Sequence, residues 1–370
     1  MANARTRARW IGVGLAATCV AAACEIPTAA PYWKTKWEVP AESTTIAVSS
    51  FLPAGVTLAA GGGSLLVGVP SPAPVTTTLG TVCGALCVAP ATVPIPAFSN
   101  SGAPIAGALA IPAVVASAVI ASGAIDVAVT NNFTFDPLRP AGTAVRGSLR
   151  VLLTAGAVTV ADTTIGGATS ALAPGGPTTF RISLRPGAIS ASSLSYQATI
   201  TCPGSATTTA ISPAQTIVIA PSFVAPGIAV SSASVQLVAL FVSDSSAAFD
   251  LSGVQIDTSN IQDASVAMRV TNPFTAAATF NLTLSAPGVA PASHPLSIPA
   301  APNAVTSSVS TQEVVFTTAE FRRFFGRANV RLKFAGSVTG TGPGSTVTVT
   351  PTAKLGIQSS LRTSILVGNR

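Results

Sequence analysis

Charge is what this chain most lacks. Only 8% of its 370 residues are Asp, Glu, Lys or Arg, against about 25% in an ordinary soluble domain. That shortage, with 48% hydrophobic residues, excludes disorder, because disordered chains are charged and poor in β-branched residues. Histidine occurs once, as His294, beside twelve acids, too few ligands for a multi-metal enzyme. Aromatics reach only 5%, which disfavours a spanning β-barrel with its two interfacial girdles. The 31 glycines show no three-residue period, which excludes collagen. From Ser43 to Ile125 there is no Asp, Glu, Lys, Arg or His.

The charge that is present begins in the first ten residues, where Arg5, Arg7 and Arg9 stand without an acid. Ile11 to Val20 are an apolar run, and Ala21-Ala22-Ala23 precede Cys24. A basic start, a short apolar stretch and small residues before a cut define a secretory signal peptide over 1–23. The run is too short for a spanning helix of about 20 residues. A cysteine directly after the small residues resembles the bacterial lipobox, with Ala21 where that motif prefers Leu. The resemblance implies cleavage before Cys24 and diacylglyceryl attachment to its sulfur. Plain secretion after Ala23 is the alternative. Loss of the three arginines lowers the formal charge from +7 to +4. Sparse basic residues and export together argue against a nucleic-acid partner.

Residues 24–42 read as a lipid-anchored tether leading into a strand, with Trp33 and Trp37 among Lys34, Lys36 and Glu38. The two tryptophans fit either a bilayer interface or a lid on the first domain's core. Residues 43–107 form an uncharged, β-rich N-terminal segment. Pro104 to Ile125 is apolar enough to raise the question of a membrane span, but Gly107 and Pro112 interrupt it and its valines favour strand.

An internal repeat organises the rest. Val129-Thr130-Asn131-Asn132-Phe133 recurs as Val270-Thr271-Asn272-Pro273-Phe274, 141 residues on. Leu194-Ser195-Tyr196 recurs as Leu332-Lys333-Phe334, and Pro213 as Pro351, both 138 residues on. The copies run over 108–222 and 246–370, with 223–245 as a linker. Val266, Met268 and Val270 alternate with Ala267 and Arg269, and Phe280 to Leu284 and Val330 to Phe334 alternate likewise. This is the period of half-buried strands. Turns fall at Pro174-Gly175-Gly176, Pro203-Gly204, Pro287-Gly288 and Pro343-Gly344. The fold class is therefore all-β: tandem duplicated antiparallel β-sandwiches, immunoglobulin- or fibronectin-like, after an N-terminal β-rich segment.

The strand end Val-x-Val-Thr-Asn-(Asn/Pro)-Phe, followed by a strand pair, a polar turn and a closing strand, resembles the WHy/LEA type 2 family. Asn132 stands where that family has proline, and Phe133 or Phe274 where it has its last asparagine. The resemblance implies small sandwich domains with non-catalytic, stress-related binding roles.

Candidate sites are few. Cys83-Gly-Ala-Leu-Cys87 is a possible disulfide that closes a small loop in an oxidising compartment. Cys202 then remains as a lone buried thiol. Zinc is disfavoured for want of a second cysteine pair or a second histidine. No Gly-x-Ser-x-Gly elbow accompanies His294, which reads as a surface-loop histidine. Asp250, Asp257 and Asp263 are spaced too widely for a calcium loop. Asp136 and Arg139 suggest a local ion pair bracing a turn, and Asn131 and Asn272 suggest backbone bonds at strand ends.

Glu320 to Arg327 is the most distinctive stretch. Thr317 or Thr318 can cap a two-turn helix and Gly326 can end it. Phe321, Phe324 and Phe325 fall on one face, and Arg322, Arg323 and Arg327 form the densest basic cluster, with Arg331 and Lys333 beyond. This element either contacts an anionic surface or a partner, or caps the open end of a sandwich. No catalytic residue, metal or cofactor is expected. The leading expectation is a membrane-anchored envelope lipoprotein, a non-enzymatic structural or protein-binding module whose partners are the membrane and other envelope proteins. The alternative is a periplasmic carrier of a lipid or other apolar ligand.

Overall fold

The computed structural model describes residues 32–40, 43–190, 193–237, 241–252, 257–303, 306–338 and 346–367. The expected signal peptide, 1–23, and Cys24 lie outside the described residues. The N-terminal part supplies β1 (Trp33–Pro40), β2 (Thr44–Ala47), β3 (Val56–Leu58), β4 (Leu65–Val67), β5 (Val75–Thr78), helix α1 (Leu79–Cys83), β6 (Ala91–Pro94) and β7 (Phe98–Ser99). The first repeat supplies β8 (Ile105–Ala110), β9 (Val115–Ser122), β10 (Ala124–Asn131), β11 (Ser148–Ala155), β12 (Val158–Gly166), β13 (Pro177–Ser183), β14 (Gly187–Ile189), β15 (Ser193–Cys202), β16 (Thr208–Ile211) and β17 (Thr216–Phe223). Then follow β18 (Ile228–Val235), β19 (Phe241–Phe249), β20 (Ile261–Asn272), β21 (Ala278–Ala286), β22 (Val289–Ile298), β23 (Ser308–Phe316), helix α2 (Thr318–Arg322), β24 (Val330–Val338), β25 (Val347–Val349) and β26 (Lys354–Val367). The chain is all-β, and among the described residues every pairing is antiparallel.

The two stretches read as repeats pair their strands in the same order. In the first repeat one sheet has the order β13-β10-β17-β5, and the other runs β12-β11-β15 with β8 beside β15. In the second, one sheet reads β23-β20-β26-β1 and the other β22-β21-β24-β19. Each pair of sheets meets along both borders, β12 with β13 and β5 with β8, then β22 with β23 and β2 with β19. Alternation builds each core. In β10, Ile125, Val127 and Val129 point inward while Asp126, Ala128 and Thr130 are partly exposed. Opposite them Leu149, Val151 and Leu153 of β11 and Tyr196, Ala198 and Ile200 of β15 are buried. Burying one such Val, Leu or Ile is worth roughly 1.5–3 kcal/mol.

The N-terminal segment is not a separate unit. It donates outer strands to both sandwiches: β5 pairs with β17, and β2, beside β1 from the expected tether stretch, pairs with the equivalent strand β26. Phe51 packs edge-on against Phe274 of the second repeat, ring centroids 5.4 Å apart. The expected linker, 223–245, also differs. Its residues 228–235 form β18, the central strand of a six-stranded sheet ordered β14-β9-β18-β4-β3, with β25 also on β18. Ile228, Val230, Ala233 and Val235 are buried, so this stretch is held by its own apolar side chains. The sheet joins strands of the N-terminal segment and both repeats. The membrane-like run from Pro104 to Ile125 resolves into β8, β9 and the start of β10. Among the described residues no helix is long and apolar enough to cross a membrane.

Candidate functional surface

The two anchor asparagines perform one job twice. Asn131 Nδ2 donates to the carbonyls of Phe135 at 2.8 Å and Leu172 at 2.6 Å, while its Oδ1 accepts from Phe133 N at 3.0 Å. Asn272 Nδ2 donates to Ala276 O at 3.0 Å and Pro299 O at 2.9 Å, and its Oδ1 accepts from Phe274 N at 2.9 Å. Both side chains are buried, and each ties the strand end to the bend after it and to a distant loop. Only an amide side chain can accept once and donate twice here. These are structural latches, as their strand-end position suggested.

The described carboxylates are similarly committed. Asp162 accepts two bonds from Arg150 at 2.8 Å, and Asp126 lies 3.3 Å from Arg181. Lys34 bonds Asp263 at 2.8 Å, and Glu38 accepts from Ser360 at 2.6 Å and from Arg362. Ser265 donates to Glu313. Asp250 and Asp257 accept from Ser252 and Ser259 two residues on. These bonds hold Glu38, Asp162, Asp250, Asp257 and Asp263 below their ordinary range, led by the bonds from Ser360, Arg150, Ser252, Ser259 and Lys34 respectively. The expected Asp136–Arg139 ion pair is replaced by something tighter. Asp136 accepts from the backbone N–H groups of Leu138, Arg139 and Leu172, while the Arg139 guanidinium donates to the carbonyls of Gly167 and Ala168. Both residues brace the turn, each through backbone, because unpaired backbone groups are nearer than the opposite charge.

Cys83 and Cys87 form a disulfide, and Cys202 is a free buried thiol. Burial pushes the Cys202 thiol up. Among the described residues no three His, Cys, Asp or Glu side chains gather as a metal site would require.

His294 is not in a loop. It lies in β22, half-buried, edge-on to Phe316 with ring centroids 4.7 Å apart, and its Nε2 is 3.2 Å from Glu320 Oε2. Glu320 closes the capping box of α2: it accepts from Thr317 N at 2.9 Å and Thr317 Oγ1 at 2.8 Å, and Thr317 Oγ1 accepts from Glu320 N. The Thr317 bonds hold the Glu320 carboxyl below its usual range. The helix that follows is shorter than expected, five residues, and the chain turns at Gly326 with φ +70°. Phe321 and Phe324 are fully buried and only Phe325 is partly exposed. The element therefore caps the end of the second sandwich, and these two rings are unavailable to a surface or partner. Arg322 donates to the carbonyls of Ser259 and Ile261, and Arg323 to that of Glu320.

The exposed aromatics sit elsewhere. Tyr32, Trp33 and Trp37 are 69%, 56% and 43% exposed. Trp33 opposes Val367 and Trp37 opposes Thr363 across the β1–β26 pair. They belong to the second sandwich, which removes the reading of a lid on the first. Lys34, Lys36 and Glu38, on the other face of β1, line together with Trp37 an open groove of about 390 Å³ shared with Asp263, Glu313 and Arg362.

No known protein family matches the chain, and no curated protein matches it in sequence. Among solved structures it is similar to a protein of Parabacteroides distasonis described as secreted, at 12% identity and TM-score 0.29 over 89% of this chain and 99% of that one. A structure of the Gx strain of infectious bursal disease virus gives 10% identity and TM-score 0.24 over 93% and 74%. One of broad bean stain virus gives 12% and 0.20 over 79% and 92%. Likenesses this weak carry no argument about what the chain does.

Proposed function

We propose that this protein is an extracytoplasmic lipoprotein, anchored through Cys24, whose two sandwiches serve as a non-enzymatic scaffold for contacts with other envelope proteins. The commitment of the described carboxylates to turns and cross-strand bonds supports this reading: none is held free beside a nucleophile or a second acid, as acid–base chemistry requires. The matched asparagine latches support treating the two repeats as copies of one module, resembling the WHy/LEA type 2 domain. An apolar carrier finds less support, since the grooves described are open and have Ser, Thr or charged side chains in their walls. Intact mass of the protein extracted from bacterial membranes tests the anchor. A chain beginning at Cys24 and carrying diacylglyceryl is the expected result, with Cys24→Ser releasing the protein from the membrane fraction. An unmodified chain in the soluble fraction refutes it.

A further inference from the structure

Topology reverses the order that the sequence suggests for the two sandwiches. The strand nearest the tether, β1, is built into the second repeat, through its eight-residue register with β26 from Trp33↔Val367 to Pro40↔Ser360. The unit that the chain enters first after the tether is therefore the repeat that comes last in the chain. Seven residues separate Cys24 from Tyr32, eight Cα–Cα steps and a reach of at most about 29 Å when fully extended. A globular body on so short a leash must keep the end bearing Tyr32 close to whatever holds the cysteine.

That end is also where the exposed aromatics gather. Trp33 and Trp37 lie on one face of β1, since side chains alternate along a strand, and Tyr32 precedes them. The α2 cap stands at the same end. Arg322 bonds the carbonyl of Ile261, Ile261 pairs with Ile365, and Ile365 pairs with Thr35, so two strand spacings of about 4.8 Å each separate that carbonyl from β1. Lys34, Lys36, Arg322, Arg323 and Arg327 belong to this end, as do Asp250, Asp257, Asp263 and Glu320, so five cations stand against four carboxylates. Its charge is nearly balanced. Tryptophan and tyrosine, with an apolar body and a polar N–H or O–H, are the residues that settle at headgroup level.

We propose that the second sandwich rests its Tyr32–Trp33–Trp37 end on the bilayer, holding the first sandwich outward. The proposal rests on the Cys24 anchor in its orientation, and on the aromatic patch for its contact. Because four carboxylates offset all but one of these cations, the contact is with the interfacial zone of the lipid rather than with anionic headgroups.

The protein contains its own probe. Trp10 is the third tryptophan and lies in the segment to be cleaved, so a chain beginning at Cys24 has Trp33 and Trp37 alone. The membrane-extracted protein is reconstituted into phosphatidylcholine vesicles, and into vesicles with added phosphatidylglycerol, each made with and without bromine on the acyl chain near the headgroup. Emission shifted to the blue and reduced about two-fold or more by bromine, to the same degree in both lipid mixtures, is the expected result. Trp37→Phe, leaving Trp33 as reporter, keeps the effect. Emission typical of water and indifferent to bromine overturns the contact. Blue-shifted emission in native membranes that brominated lipid leaves untouched overturns it too, in favour of a protein partner.

Failure of the anchor is read separately, from the mass of the same preparation. If that chain carries no acyl group, flotation of the unacylated chain with vesicles decides the patch: co-flotation with quenching keeps it, and no flotation overturns it. All described strands lie within residues 33–367, so a chain beginning at Cys24 retains every one.

Discussion

Replacing Asn272 by alanine removes three hydrogen bonds from a site that water cannot easily re-enter. The Phe274 N–H loses its acceptor, and the carbonyls of Ala276 and Pro299 lose their donors. One buried unsatisfied group costs about 1–3 kcal/mol. The N–H has no second option, whereas each carbonyl keeps a lone pair for other partners, so the carbonyls add less. The expected loss is about 3–4 kcal/mol, read as a shift in the denaturant midpoint at unchanged slope by far-UV circular dichroism. Asn131→Ala should cost the same to within about 1 kcal/mol, because its three bonds have the same donors, acceptors and burial. Asn272→Asp keeps the acceptor for Phe274 but sets a carboxylate oxygen against two carbonyls. It should be no better than alanine at neutral pH and recover partly in acid, when a protonated carboxyl can donate once. A loss below about 1 kcal/mol at either asparagine would refute the latch as a stabilising element, given what such bonds are worth when buried. Widely different losses at the two sites would refute their equivalence.

Tyr196 has a buried hydroxyl with no partner among the described residues, and its second-repeat counterpart is Phe334, so Tyr196→Phe should be neutral or stabilising by up to about 1 kcal/mol in the same titration. Phe321→Ala should cost about 3–5 kcal/mol by opening the end of the second sandwich, whereas Arg323→Ala and Arg327→Ala, both at the surface, should stay within about 0.5 kcal/mol. Glu38, Asp162, Asp263 and Glu320 have folded pKa values below their ordinary 3.8 or 4.5. Their contribution is therefore complete above the unfolded values and is lost as pH falls through the folded ones. Urea midpoints should hold steady from neutral pH to about 5 and fall below about 4, and a midpoint that rises in acid would show the sign to be wrong.

Strand positions were legible because each repeat keeps the two-residue alternation, and the repeat itself because Asn131 and Asn272 sit in nearly the same five residues. Pairing between distant strands was not. Nothing local in Trp33–Pro40 names Lys354–Val367 as its neighbour, since a strand's register is settled by which apolar face it must cover. The strand at Ile228–Val235 was hidden by its serines and alanines, which weaken the alternation without removing it. His294 was misplaced because Pro291 and Pro295 flank it and read as loop. Its strand, β22, lies at the border of its sheet, where proline is tolerated. The α2 stretch showed its capping box and its three phenylalanines in sequence. How much of the aromatic face is buried depends on Ile261 and the sandwich end beneath it, which are remote along the chain. Glycine at 107 has a reason only the fold supplies: a Cβ there would lie 2.5 Å from the Tyr196 ring.

The pairing of β1 with β26 has a consequence for how the molecule is made. Glu38 and Ser360, which bond across that pair, are 322 residues apart, and closing such a loop costs about 5 kcal/mol plus a constant. On leaving a ribosome or a translocation pore, β1 must wait for β26. Until then β1 has a bare edge, and its Lys34 and Lys36 are suited to discouraging wrong neighbours meanwhile. The second sandwich can seal only after Val367 has been made, so a nascent chain arrested short of it should remain open to proteases however much of its first sandwich has already set.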